Sequence, residues 1–165
     1  MTKSLYLVRH AKAGWDNAGI ADFDRPLNEK GLQSAPLMAS FLKDRRVAPC
    51  MIVSSPALRA LSTAGIFSDI LGYPRERIEK RIEIYEGGID NLHRIVQALP
   101  DDCVIAMLFG HNPSITDFSN YLTGRHLDGI VTCGIVRVDF NLQSWAMVCP
   151  GSGRVGAYDF PKQHQ

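Results

Sequence analysis

Two histidines and two arginines lie where short apolar segments of this chain would end as strands. Arg9 and His10 follow one such segment, His111 follows another, and Arg59 lies one helical turn beyond a third. A guanidinium group binds phosphate oxygens through two parallel N–H groups and keeps its charge at any physiological pH. A neutral imidazole can attack phosphorus as a nucleophile. These residue types therefore predict a phosphate site in which a histidine performs covalent catalysis.

His10 is the preferred nucleophile of the two histidines. It directly follows Arg9 at the predicted strand end, where a rigid backbone can fix the orientation of the ring. Its neutral imidazole would attack phosphorus and form a phosphohistidine, which water would then hydrolyse. His111 is expected to donate a hydrogen bond to the equatorial oxygens as charge develops on them, together with Arg9 and Arg59.

A metal centre is the alternative for the same region. His10, His111 and Glu86, which follows a further predicted strand, are residue types that bind zinc. Two or three guanidinium groups at the same place would repel a divalent cation. The sequence therefore favours a site without metal, and we expect no cofactor.

Predicted strands and helices alternate along the chain, and they must position these side chains. Apolar segments predict strands over residues 5–8, 51–53, 78–85 and 103–109. Helical spacing of apolar residues, with caps, prolines and glycines at the ends, predicts helices over residues 28–43, 56–71, 89–99 and 113–122. Continuously apolar strands such as the first and the last are typical of a parallel sheet that is covered on both faces.

The order of these elements predicts one α/β domain over residues 1–165, a three-layer α/β/α sandwich with a mostly parallel central sheet. Residues 135–140 and 144–148 alternate between apolar and polar side chains, which predicts an antiparallel C-terminal hairpin at one edge. Ligands of such sheets bind beyond the carboxyl ends of the strands, where helix N-termini add backbone donors for anions. We therefore expect the histidines and arginines to meet at this end of the sheet.

Composition limits the partners of the protein. The chain has 165 residues, 45% of them hydrophobic, and 18 Lys and Arg against 17 Asp and Glu give a net charge of +1. Such a balance provides no basic field for nucleic acid. The longest unbroken apolar segment, residues 104–109, is far shorter than the ~18 residues of a membrane span, and the N-terminus lacks a secretory signal. We expect a soluble, cytoplasmic protein with neither nucleic acid nor membrane as a partner.

The four cysteines are expected to be free thiols in the core. Cys50, Cys103, Cys133 and Cys149 lie far apart and form no CxxC pair. Buried free thiols are typical of proteins in a reducing compartment. A disulfide or a zinc knuckle is the alternative, and the spacing disfavours both.

Four ordered motifs give the chain a resemblance to the histidine phosphatase superfamily, whose members are phosphoglycerate mutase-like. The motifs read Leu7-Val8-Arg9-His10-Ala11, Asp24-Arg25-Pro26-Leu27, Ser54-Ser55-Pro56-Ala57-Leu58-Arg59-Ala60 and Gly110-His111-Asn112-Pro113. The first motif alone would be a weak signal, but four in order make a specific match. The residues of these motifs and the short chain are most similar to those of the SixA-type phosphohistidine phosphatase branch.

This resemblance implies a role for each matching residue. His10 would be the phosphorylated nucleophile, and the groups that hold the phosphoryl group would be Arg9, Arg25, Arg59 and His111. Arg25 is identified by the resemblance alone, because it lies in a loop and not at a strand end. Glu86 occupies the place where other branches carry a general acid, which the SixA branch often lacks. Its catalytic role stays open.

The resemblance implies a metal-independent phosphatase that works through phosphohistidine on His10. Its substrate is expected to be phosphohistidine on a protein, such as a histidine phosphotransfer domain, and phosphate or vanadate should bind the site. Two alternatives stay open, a phosphatase of a small phosphorylated metabolite and a non-catalytic phosphate-binding module. A short chain has little length for a lid, which favours a protein side chain as substrate.

Three residues of the loop after the nucleophile have two possible roles. Lys12, Trp15 and Asp16 could line the entrance for the substrate, or they could simply be solvated. We expect them to be solvated.

Overall fold

Six strands form one sheet in the computed structural model, which describes residues 2–15 and 19–165. The strands are β1 (Thr2–Arg9), β2 (Met51–Ser54), β3 (Glu79–Lys80), β4 (Ile105–Gly110), β5 (Ile135–Asn141) and β6 (Gly153–Asp159). Their order across the sheet is β3-β2-β4-β1-β5-β6. The first four strands pair in parallel, and β5 and β6 pair antiparallel with their neighbours. The predicted mostly parallel sheet with an antiparallel edge is confirmed.

Helices cover both faces of this sheet. They are α1 (Glu29–Asp44), α2 (Leu58–Leu71), α3 (Ile82–Glu86), α4 (Ile89–Gln97) and α5 (Ser114–Thr123). Short 3-10 turns lie at Asp22–Asp24, Arg75–Arg77, Trp145–Met147 and Pro161–Gln163. One apolar cluster joins α1 and α2 to the sheet, and a second joins α4 and α5 to the opposite face. This arrangement confirms the predicted three-layer α/β/α sandwich.

Strand β4 shows why the central strands are apolar throughout. Met107 and Phe109 pack into the cluster under α1 and α2, whereas Ala106 and Leu108 pack into the cluster under α4 and α5. Successive side chains of a strand point to opposite faces, so a strand covered on both sides needs apolar residues at every position. The sequence pattern of this strand reports its burial directly.

The predicted strand over residues 78–85 is confirmed only at Glu79–Lys80, and the rest of the predicted range is not a strand. Only Glu79 and Lys80 pair with β2, and they do so opposite Val53 and Ser54, where β2 ends. Within the described residues no strand lies beside residues 82–85, and Ile82–Glu86 form the helix α3 instead. Apolar residues in a short segment are therefore insufficient to make a strand when the neighbouring strand stops first.

The predicted hairpin has the wrong second strand. Residues 145–147 form a 3-10 turn, and the strand that pairs with β5 is β6. Trp145 is fully buried, its indole N–H donates to the Cys103 carbonyl at 2.7 Å, and its ring packs against Phe140. Burial of this residue under the sheet, and not strand pairing, accounts for the apolar pattern around it.

The expectation of four free core thiols is also wrong. Cys50 and Cys103 form a disulfide with a Cα–Cα distance of 5.6 Å, and Cys149 is exposed; only Cys133 is a buried free thiol among the described residues. The two bonded residues lie 53 positions apart in the sequence. They meet because they precede β2 and β4, which are parallel neighbours and begin side by side. Spacing along the chain cannot show such proximity.

Within residues 2–15 and 19–165, no helix has the length and hydrophobicity needed to cross a membrane.

Candidate active site

The carboxyl ends of β1, β2 and β4 place the predicted site residues side by side. The backbone N–H of His10 donates to the Gly110 carbonyl at 3.1 Å, and that of Ser55 donates to the Phe109 carbonyl at 3.1 Å. These bonds extend the parallel ladder one residue beyond the strands. One end of the sheet therefore holds His10, Ser55 just before α2, and Gly110 just before His111. The sequence predicted this meeting place.

A single hydrogen bond sets the tautomer of His10. Its Nδ1 lies 2.7 Å from the carbonyl oxygen of Ala11. Because a carbonyl oxygen can only accept, Nδ1 carries the proton and donates it. The lone pair of the neutral ring is then on Nε2. The side chain is buried, so the packing around it fixes the direction of this lone pair.

Burial and positive charge keep the His10 ring neutral. Burial is the largest cause and lowers the pKa of His10, whereas the hydrogen bond to Ala11 raises it. The charges of the arginines, Arg59 foremost, lower the pKa further, to about 4. An ordinary histidine titrates near ~6.5. At neutral pH the ring is therefore unprotonated and able to act as a nucleophile.

His111 lies against His10, with their ring centroids 5.2 Å apart. Its Nε2 is 2.8 Å from the Ser55 hydroxyl oxygen, and its Nδ1 is buried without a partner among the described residues. Burial, then the neighbouring His10 and Arg59, lower its pKa to about 3. The ring is neutral at physiological pH, and one of its nitrogens remains available to a ligand.

Arg9 and Arg59 complete the inner part of the site. Nη1 of Arg9 donates to the Ile130 carbonyl at 3.0 Å, and Nη1 of Arg59 donates to the Asp22 carbonyl at 2.7 Å. The Nε atoms of both arginines are buried and have no partner within the part of the chain that the structure describes. Nδ1 of His111 is likewise buried without a partner there, and the charges of both arginines act on the His10 ring. Groups of this kind are suited to stabilise an oxyanion.

Thr63 connects the segment that follows His10 to the helix α2, which carries Arg59. Its hydroxyl accepts the backbone N–H of Ala11 at 3.0 Å and donates to the Arg59 carbonyl at 2.7 Å. The side chain is fully buried, so both bonds are protected from water. A rigid link of this kind holds His10 and Arg59 at a fixed separation.

Arg25, which the motif resemblance alone had identified, is also present at the site. Its charge contributes to the lowered pKa of His10, and its guanidinium carbon lies 3.6 Å from the ring centroid of Trp15. Trp15 is 74% exposed, as expected for a solvated side chain, and its ring also stacks against this arginine. Asp16, the next residue of that loop, lies outside the described residues.

Asp22 and Tyr85 are site residues that the sequence analysis missed. The Asp22 carboxylate accepts hydrogen bonds from Arg25, Arg59 and the Tyr85 hydroxyl, and the Tyr85 ring centroid is 5.7 Å from that of His111. Partial burial raises the pKa of Asp22, but the Tyr85 hydroxyl and the Arg59 charge outweigh it and lower the pKa overall. The motif Asp24-Arg25-Pro26-Leu27 contains Asp24 and not Asp22, and both residues lie outside the predicted strand ends, so no sequence signal pointed to Asp22.

Glu86 does not join this cluster. It is an exposed residue at the end of α3 and makes no hydrogen bond or ion pair with the other site residues in the described ranges. The preceding residue, Tyr85, takes the inward position. The alternative of a zinc triad with His10 and His111 also finds no geometric support, because the described residues contain no group of three His, Cys, Asp or Glu side chains that could hold a metal ion.

The match to known proteins agrees with this geometry. The family model of the histidine phosphatase superfamily (branch 1) matches residues 5–107, more than half of the chain. The chain belongs to the histidine phosphatase superfamily. The matched segment of this histidine phosphatase contains His10, Arg25 and Arg59 and ends before His111. The resemblance drawn from the motifs is confirmed.

Solved structures with the same fold place this histidine phosphatase near the SixA branch. The protein histidine phosphatase SixA complexed with tungstate is 25% identical and superposes with a TM-score of 0.85, over 98% of this chain and 99% of that chain. A structure from Agrobacterium tumefaciens that carries the SixA designation is 28% identical, with a TM-score of 0.81 over 96% and 98% of the two chains. An uncharacterized chloroplastic protein of Arabidopsis thaliana is 26% identical over 165 residues, 94% of this chain and 75% of that protein.

Proposed function

We propose that this protein is a metal-independent phosphatase that works through phosphorylation of His10, with phosphohistidine on a protein as its substrate. One observation carries the proposal. The hydrogen bond from His10 Nδ1 to the Ala11 carbonyl leaves a lone pair on Nε2, in a buried ring that stays neutral beside the arginines. A neutral and oriented imidazole at an oxyanion site is suited to attack phosphorus.

The first step transfers the phosphoryl group to the enzyme. The Nε2 lone pair of His10 forms a bond to phosphorus while the bond between phosphorus and the substrate nitrogen breaks. The electron pair of that bond leaves with the substrate imidazole. Arg9, Arg59 and Nδ1 of His111 donate to the equatorial oxygens as the charge on them is redistributed.

The second step restores the enzyme. Water attacks phosphorus in line with the His10 nitrogen, the bond between phosphorus and Nε2 breaks, and its electron pair returns to the ring. The proton lost by water passes to the released phosphate or to solvent. The proton on Nδ1 stays in its bond with the Ala11 carbonyl throughout, so His10 returns to the tautomer in which it began.

The absence of a general acid from the described part of the site favours a nitrogen-linked substrate. Glu86 is exposed and has no contact with the other site residues in the described ranges. The lowered pKa of Asp22 keeps that carboxyl group ionised at neutral pH, so it is a poor proton donor. An alkoxide leaving from a phosphate ester needs such a donor. The imidazole of phosphohistidine is a better leaving group, because a proton on its other nitrogen lets it leave as a neutral ring.

An acid-quench experiment tests the covalent intermediate. Protein mixed with a radiolabelled phosphohistidine protein, such as a phosphorylated histidine phosphotransfer domain, should carry an acid-labile label that is stable in alkali. The His10→Ala variant should carry none. A label on that variant would refute the role of His10.

A substrate panel in the presence of chelator separates the remaining possibilities. Turnover should be highest for the phosphohistidine protein and much lower for phosphoserine and sugar phosphates. A strong preference for a sugar phosphate would point instead to a metabolite phosphatase. Binding of vanadate without turnover of any substrate would indicate a phosphate-binding module.

A further inference from the structure

The Asp22 carboxylate already accepts hydrogen bonds from two arginines that would bind the phosphoryl group, Arg59 in the proposed mechanism and Arg25 by the motif resemblance. Its Oδ1 accepts from Nε of Arg25 at 3.1 Å, and its Oδ2 accepts from Nη2 of Arg59 at 3.1 Å. The Tyr85 hydroxyl donates to the same Oδ2 at 2.9 Å. Three donors from three separate segments thus converge on one internal anion.

A bound phosphoryl group would compete with this carboxylate. An N–H group that donates along a short, straight bond to one oxygen cannot donate equally well to a second. The single N–H of Arg25 Nε, and the N–H of Arg59 Nη2 that is directed at Asp22, can therefore donate to a phosphate oxygen only when Asp22 releases them. Two like charges at the same arginines also repel each other, because the surrounding protein screens them poorly.

Asp22 is the partner that can move. Its side chain is 44% exposed, whereas those of Arg59 and Arg25 are 7% and 12% exposed. It lies on the short 3-10 turn Asp22–Asp24, outside the sheet and the main helices. A carboxylate that moves from this position regains contact with water, so its displacement has a low desolvation cost.

We propose that Asp22 is an internal competitor for the phosphoryl group. In the free enzyme it holds Arg25 and Arg59, bound phosphate displaces it, and its return weakens phosphate binding and promotes product release. The inference rests on the proposed function in one respect, that the oxyanion bound at these arginines is the reaction product. The opposite role is that of a residue that merely orients the two arginines for the ligand, and the two roles predict opposite changes in affinity.

Calorimetric titration with inorganic phosphate and with tungstate at pH 7 distinguishes the two roles. We expect Asp22→Asn to lower the dissociation constant about 3- to 10-fold, since the substitution removes a partly exposed negative charge from the arginines. Asp24→Asn is the matched control, because it removes the same charge from the same turn at a residue without a bond to either arginine in the described ranges. It should change the dissociation constant by less than about 2-fold. Unchanged or weaker binding by Asp22→Asn would overturn the proposal.

Three further measurements keep this result interpretable. Thermal melting of both variants shows whether they remain folded, and Asp22→Ala should tighten phosphate binding in the same direction as Asp22→Asn. Phosphate should also become a stronger product inhibitor of Asp22→Asn than of the unaltered enzyme. The binding measurement needs no turnover, so tighter phosphate binding without phosphohistidine hydrolysis would refute the proposed function and leave the role of Asp22 intact.

Discussion

The Nε2 atom of His111 lies 2.8 Å from the hydroxyl oxygen of Ser55. The same oxygen accepts the backbone N–H of Ala57 at 3.1 Å, just before α2 begins. With its oxygen accepting there, the hydroxyl can donate its hydrogen to Nε2, which places the ring proton of His111 on the buried Nδ1. Ser55 is thus positioned to select the tautomer in which His111 is a donor to an oxyanion.

Replacement of Ser55 by alanine should impair catalysis. Loss of this partner frees the His111 ring to rotate or to change tautomer, and we expect Ser55→Ala to lower kcat/KM for a phosphohistidine protein by roughly 10- to 100-fold. Nitrogen-15 spectra of histidine-labelled protein should show the ring proton on Nδ1 in the unaltered enzyme and a mixture in the variant. Ser54→Ala is the control, since Ser54 donates to the Ser55 carbonyl and not to His111. Equal kinetics for Ser55→Ala and the unaltered enzyme would contradict this role.

The His10 ring should remain neutral well below the pH at which ordinary histidines become charged. Its pKa of about 4 results from burial and the arginine charges, whereas an unperturbed imidazole titrates near ~6.5. The nuclear magnetic resonance signals of this ring should therefore show no titration between pH 8 and about 5. The signals are assigned by their loss in His10→Asn. A midpoint near ~6.5 would show that the ring is hydrated and not held as described.

The stability of the protein should fall as the pH falls from about 6.5 toward 4. The folded-state pKa of His10 is lowered, so between its unfolded value of ~6.5 and about 4 the unfolded chain binds a proton that the folded chain does not. At pH 5 this difference costs about 2 kcal/mol of unfolding free energy for His10 alone. The pKa of His111, lowered to about 3, acts in the same direction.

Urea unfolding at pH 7 and at pH 5 measures this effect. The His10→Asn variant has no proton to bind at this position, so its loss of stability between the two pH values should be about 2 kcal/mol smaller than that of the unaltered protein. The same loss in both proteins would indicate that other groups dominate the acid sensitivity.

The disulfide between Cys50 and Cys103 should stabilise the fold without affecting the site. It joins the amino ends of β2 and β4, at the opposite end of these strands from His10. A loop of 53 residues gives a stabilisation of up to about 4 kcal/mol from restriction of the unfolded chain. The double variant Cys50→Ser, Cys103→Ser should lose stability toward urea by this order and bind phosphate with an unchanged dissociation constant. Reducing agent should lower the stability of the unaltered protein to that of the variant.

Local patterns were sufficient to predict the central strands and the helices that flank them. The apolar residues of β4 are continuous because the strand is covered on both faces, and the prediction over residues 103–109 follows from that burial alone. The helix patterns over residues 28–43 and 113–122 likewise match α1 and α5 closely. These elements satisfy their hydrogen bonds and bury their apolar faces according to rules that a short segment expresses by itself.

The wrong predictions share one cause, since each depended on a partner that is distant in sequence. Residues 82–86 lack a strand because β2 ends beside Lys80, and Trp145 is apolar because it packs under the sheet beside Phe140. Cys50 and Cys103 bond because their strands are neighbours. A local pattern contains no information on where the neighbouring strand stops or which residue it brings alongside.

The sequence by itself determined the residues that lie at the strand ends, and with them the chemistry that we propose for His10, Arg9, Arg59 and His111. Their positions follow from local periodicity, and the motif resemblance added Arg25. Only the tertiary structure decided the tautomers and hydrogen-bond partners of these groups. It places the proton of His10 on Nδ1, pairs His111 with Ser55, and pairs the Asp22 carboxylate with two arginines. The physical reason is that tautomers, pKa values and hydrogen bonds depend on distances of about 3 Å between side chains. In this protein those distances join residues tens of positions apart, and folding alone brings them together.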